Sequence, residues 1–128
     1  MTDRDKLIAH LRAREKHFVD AERKFAREGK QHMIDVCTFS LVMLKWVRKR
    51  IASGEHPIKP AICVAIVAGS TAGEMVRHFM SEDDHEKAFN SLQLRFVQSL
   101  ARGVGFDEVV NNIQTVFDVA AAQKESVQ

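Results

Sequence analysis

Apolar positions along this chain recur at helical spacing from one end to the other, and they predict five helices with no strand. The first, over about residues 3–28, carries a seam at Leu7, Leu11, Arg14, Phe18, Ala21 and Phe25, in steps of 4 and 3. Thr2 or Asp3 is placed as its N-cap, and Gly29 stands just past its end. The seam is thin, with Arg14 in the middle, which suits a peripheral helix resting on a bundle or pairing with its own copy. The second helix, about 31–52, is apolar almost all the way round, from Met33 and Ile34 through Phe39, Leu41 and Leu44 to Trp46, Val47 and Ile51. The third, about 60–80, holds an uncharged run over 61–73. In it Ala61, Ala65, Gly69 and Gly73 fall four apart and draw a winding ridge of small side chains. Such a ridge admits a neighbouring backbone closely, so this helix is expected to be the buried axis of the fold.

Punctuation supports these boundaries. Ser53-Gly54 stops the second helix, the loop 55–60 follows, and Pro60 suits a first helical position. Ser81 with Asp84 predicts an N-cap and an acidic first turn for a fourth helix over about 82–102. That helix is expected to bury Phe89, Leu92, Phe96 and Leu100. Gly103-Val104-Gly105 separates it from a fifth, about 107–123, with Val109, Val110, Ile113, Val116, Phe117, Ala120 and Ala121 on its apolar side and a frayed tail over 123–128. The expectation is one all-α domain spanning 1–128, a bundle packed around helices two and three.

At 128 residues a single domain buries about two-thirds of its unfolded surface without staples. Helices two and three both ask for the one enclosed position, and that surplus predicts a homo-oligomer, first of all a dimer, or a protein partner. Cys37 and Cys63 lie in apolar runs and offer no zinc spacing, the start has no signal-peptide core, and the apolar runs 36–44 and 61–73 fall short of a membrane span. A cytoplasmic protein without cofactor or membrane contact is expected. Charge is lopsided: residues 1–60 hold 14 Lys and Arg against 8 Asp and Glu, a net of +6, and residues 61–128 hold 5 against 9, a net of −4.

Candidate chemistry changes the picture little. Glu82 and His85 have the Glu-x-x-His spacing of carboxylate-bridged metal bundles, but no second such pair exists, and acids in a first turn are favoured by the helix dipole alone. An enzymatic alternative needs Glu74, His78, Glu82 and His85 to converge across one turn. His10 and His17, seven apart, share a helix face and read as exposed polar positions. No nucleophile motif or phosphate loop is present, and 69–73 lacks the lysine a phosphate loop supplies. The densest basic patch, Lys45 to Arg50 around Trp46, singles out Trp46, Arg48, Lys49 and Arg50, together with Arg12, Arg23 and Arg27, as a partner-binding surface. The partner is an acidic protein or, alternatively, nucleic acid.

Residues 96–113, an apolar helix ending in Ala-Arg-Gly, a short turn, then Asp-Glu-Val and Ile, resemble the first two helices of a helix-turn-helix of the response-regulator output type. That resemblance implies a recognition helix after a further turn. Residues 114–123 instead continue the same period unbroken in a net acidic half, which points to a plain helical hairpin. The function expected from sequence is a small, non-enzymatic helical binding protein: a regulator, inhibitor or assembly chaperone.

Overall fold

The computed structural model describes residues 1–127, with side chains described to residue 125, and the described chain is all-α. Five α-helices follow in order: α1 (Asp3–Arg27), α2 (Gln31–Ala52), α3 (Ile58–Phe79), α4 (His85–Val104) and α5 (Asp107–Val127), with one 3-10 turn, Glu82–Asp84, ahead of α4. The chain falls into two compact units, Met1–Ala68 and Gly69–Gln128.

In the first unit α1 and α2 form an antiparallel hairpin. Thr2 caps α1 in a reciprocal box with Asp5: the Asp5 N–H donates to Thr2 Oγ1, and the Thr2 N–H donates to the Asp5 carboxylate. The Thr2 hydroxyl also donates to the Asp5 carboxylate, at 2.8 Å, and this bond, with the one from the Thr2 N–H, holds the Asp5 carboxyl below its usual range. Gly29, at φ 69°, supplies the left-handed residue that lets Lys30 N–H bond back to the Phe25 carbonyl before α2 begins. α2, apolar almost all the way round and expected to be buried on more than one side, is buried on one side only. Ile34, Cys37, Leu41, Leu44, Arg48 and Ile51 share an arc of about 100° at 100° per residue, and this face meets α1, with Cys37 and Ile51 buried. On the opposite side Val36, Phe39, Val42 and Trp46 are left 42–65% exposed.

The seam of α1 differs from the expected one by a single residue of phase. Arg14 points outward over the Phe18 ring, 5.0 Å from its centroid, and Glu15 is buried in its place. Steps of 4, 4, 3, 4 and 3 through Leu7, Leu11, Glu15, Phe18, Glu22 and Phe25 follow the true contact line. A carboxylate is tolerated on that line because α2 presents a guanidinium to it.

In the second unit α4 and α5 pack as a hairpin, joined through Gly105 at φ 95°, whose N–H and that of Phe106 both bond to the Ala101 carbonyl. The structure corrects the face expected to be buried. Phe89, Leu92, Phe96 and Leu100 do form a stripe, but it is 42–62% exposed and turned away from α5. The α5-facing side is built from Leu94, Gln98 and Ala101 against Val110, Ile113 and Phe117. Ala101 permits close approach, and Gln98 Nε2 donates to the Val110 carbonyl at 3.3 Å and to Gln114 Oε1 at 3.1 Å. The Arg95 guanidinium stacks over the Phe117 ring at 3.9 Å. α5 runs unbroken to Val127, so residues 123–127 are helical rather than frayed, residue 128 lies outside the described residues, and no further turn with a recognition helix occurs among the described residues.

α3 is not enclosed as expected. Pro60 is its buried residue, while Ile58, Ile62, Ile66, Val67, Met75 and Phe79 are half or more exposed. A Cβ added at Gly69 or Gly73 would meet nothing within 4 Å, so no backbone among the described residues exploits the small-residue ridge. At 22 residues α3 is also long and apolar enough, by length and composition, to cross a membrane, which the uncharged run taken by itself is not.

Candidate functional site

Seven side chains were singled out by sequence, and the first unit distributes them rather than gathering them. Arg48 lies on the α1-facing side of α2, where its Nε donates to Glu15 Oε2 at 2.7 Å and its Nη2 to Glu15 Oε1 at 3.2 Å. The guanidinium holds the Glu15 carboxyl below the ordinary range, and the carboxylate raises the arginine further. This two-pronged pair, with side chains only 11% and 21% exposed, clamps α1 to α2. Arg50 is tied to Glu55 across the end of α2 by Nε and Nη2, which lowers the Glu55 carboxyl. Lys49 and Trp46 are exposed, and Lys49 makes no hydrogen bond or ion pair among the described residues.

Arg12 sits one turn before Glu15. Arg23 and Arg27 lie farther along α1, with Arg27 about 22 Å from Arg12 by helical rise, beside the connection to α2. Thr38 Oγ1 donates to Glu22 there, so an acid again interrupts the basic line. The basic residues thus do not form one patch: Lys49 and Arg50 are exposed at the C-terminal end of α2, Arg23 and Arg27 lie beside the connection, Arg12 lies between, and Arg48 turns inward to Glu15.

Other groupings were weighed for chemistry. The side chains proposed for metal do not assemble: no group of three His, Cys, Asp or Glu residues poised for an ion occurs among the described residues. The His85 ring nitrogen Nε2 lies 3.1 Å from the Met80 carbonyl, a local bond across the turn. An open hollow of about 310 Å³ lies at the mouth of the α1–α2 hairpin, lined by Asp3, Arg4, Leu7, Ile51, Gly54, His56 and Pro57. Two of its polar groups are engaged: Arg4 Nη2 donates to the Gly54 carbonyl at 3.0 Å, and His56 Nδ1 accepts from the Ile58 N–H at 3.2 Å.

What the units do offer is apolar surface. The stripe on α2 and the stripe on α4 each present large side chains along one helix face, and α3 presents more. Sequence periodicity found both stripes, since it reports which residues share a face; it assigned the α4 stripe to the interior because nothing in the period says what covers it. Glu15 and Gln98, the two buried polar residues among the described ones, went unseen for the same reason. A signal for Glu15 existed in the 3-4 spacing that places Arg48 on the inner face of α2. No protein-family model matches this chain, and no curated protein or solved structure matches it either, so the candidate site rests on these uncovered helix faces alone.

Proposed function

We propose that this is a non-enzymatic binding protein, of the regulator, inhibitor or assembly-chaperone kind, that acts through helix faces its own chain leaves uncovered. The observation that carries this reading is the stripe Phe89, Leu92, Phe96 and Leu100. It has the 3-4 spacing of a core seam and yet is 42–62% exposed. Water-facing polar helices do not carry two phenylalanines and two leucines on one side, and burying the half of each that is still exposed would contribute about 1 kcal/mol.

Other helices carry exposed apolar side chains as well: Val36, Phe39, Val42 and Trp46 on α2 and Ile62, Ile66 and Val67 on α3 are 42–65% exposed. The nucleic-acid reading gains nothing comparable, because Arg48 and Arg50 are both engaged by carboxylates.

Light scattering coupled to size exclusion, run alongside binding of a hydrophobic dye, tests the proposal. A mass above 14.5 kDa, or a monomer that binds dye strongly and loses it in the Phe89→Ser/Phe96→Ser variant, supports it. A strict monomer that binds no dye overturns it.

A further inference from the structure

Resting on that reading, we infer that the occupant of these faces is a second copy of this chain, with the α2 stripe of one copy seated antiparallel on the α4 stripe of the other. Three observations converge on that occupant.

The first is shape along the sequence. Large apolar side chains step along α2 at 36, 39, 43 and 46, Met43 being half-buried, and along α4, read backwards, at 100, 96, 92 and 89. Laid antiparallel, Phe39 comes opposite Phe96 and Trp46 opposite Phe89, with the exposed Val42 outside this pairing. In the same register Lys49 comes opposite Glu86, both exposed.

The second is charge. The boundary between the compact units falls at 68/69, and residues 61–68 carry no charge, so the first unit has a net of +6 and the second a net of −4. On α2 the basic end of the stripe is its C-terminal one, at Lys49. On α4 the acidic end is the N-terminal one, where Glu82, Asp83 and Asp84 precede Glu86. Antiparallel seating brings these ends together. The α4 cations do not oppose it, since Lys87, Arg95 and Arg102 lie within about 60° of Gln98, on the α5-facing side.

The third is the choice of partner face. Seating first unit on first unit sets +6 against +6, and second on second sets −4 against −4, whereas the basic unit of one copy on the acidic unit of the other sets opposite net charges together. A lipid bilayer suits α3 less well. Its uncharged stretch, residues 60–73, is 14 residues and spans about 21 Å, against about 30 Å of hydrocarbon.

The test uses the full chain with Cys63→Ser as background, leaving the buried Cys37 in place. Chains carrying Lys49→Cys and chains carrying Glu86→Cys are mixed, unfolded together, refolded and oxidised. Expected is a covalent heterodimer from the mixture, little covalent dimer from either chain alone, and a dimeric mass for the unsubstituted protein by light scattering. Lys49→Glu is expected to weaken dimerisation about tenfold, and mixing it with Glu86→Lys to restore it. A monomeric mass overturns the proposal, and so does a chain carrying both cysteines that closes on itself as a monomer. Monomeric protein floating with anionic vesicles overturns it as well, in favour of a membrane. A monomer that still binds hydrophobic dye ends this inference while leaving the binding-protein reading standing; a monomer that binds none ends both.

Discussion

Replacing Glu15 by Gln removes the charge from the clamp between α1 and α2 while keeping its shape. The carboxylate accepts two guanidinium N–H groups from Arg48, at 2.7 and 3.2 Å, and the pair is largely shielded, with side chains 11% and 21% exposed. A hydrogen bond to a charged group contributes about 1.5–3 kcal/mol, and residual solvent contact places this pair near the low end. The expected cost of Glu15→Gln is therefore about 2 kcal/mol, or about 7 °C in Tm for a chain of this length. Arg48→Met is expected to cost a similar amount, because it strands a shielded carboxylate. The double change Glu15→Leu/Arg48→Met is expected to recover most of the loss, since two apolar side chains of similar size need no partner. Urea unfolding followed by far-UV circular dichroism measures all three. The pH dependence supplies the check on mechanism. The Glu15 carboxyl is held below its ordinary value of 4.5, so its contribution is fully present above that value and is lost as pH falls through the lower folded-state value. The gap between wild type and Glu15→Gln should stay constant from pH 7 to about 5 and close on further acidification. A gap below about 0.5 kcal/mol at pH 7, or one that does not change with acid, would refute the clamp.

Three further outcomes follow from the geometry. Gln98→Leu loses two donated hydrogen bonds at the α4–α5 contact and is expected to lower stability by about 1–2 kcal/mol in the same assay. Gly105→Ala forces a Cβ into a left-handed conformation at φ 95° and is expected to cost about 1–2 kcal/mol, visible as a lower urea midpoint. Gly69→Ala with Gly73→Ala adds methyl groups where nothing lies within 4 Å, so helix propensity should raise stability by up to about 1 kcal/mol per site. A loss instead, together with a reduced oligomer mass, would show that another helix packs against that ridge in the assembled protein.

How far the sequence spoke can be judged at particular residues. Helix ends near Gly29, Gly54 and Gly105 were legible because all three take the positive φ that only glycine adopts readily; α3 instead begins at Ile58, two residues ahead of the expected Pro60, and α4 overran its expected end by two residues because Gly103 stays helical while Gly105 makes the turn. The Ser81 cap was legible in place and not in form: a 3-10 turn intervenes, and the Ser81 side chain makes no capping bond. Which face of α4 meets α5 was not legible. Four large apolar residues at 3-4 spacing outweigh Leu94, Gln98 and Ala101 in any pattern, yet the hairpin closes through the smaller set, because Gln98 bonds to two groups on α5 and Ala101 leaves room. The basic patch was legible as composition only. Its dispersal follows from Arg48 turning inward to Glu15 and Arg50 folding back to Glu55, pairings that depend on which helix faces which.

The two thiols stand in opposite circumstances, and that has a practical consequence. Cys37 is sealed beneath α1, whereas Cys63 lies open on α3. Native protein should therefore take up one alkyl group per chain from a mild reagent, and a second only once unfolded, without any substitution. Cys63 is thus a built-in labelling point whose quenching or protection reports the moment that helix is covered, and in air it is also the point where a spurious disulfide-linked pair would form unless reductant is kept present.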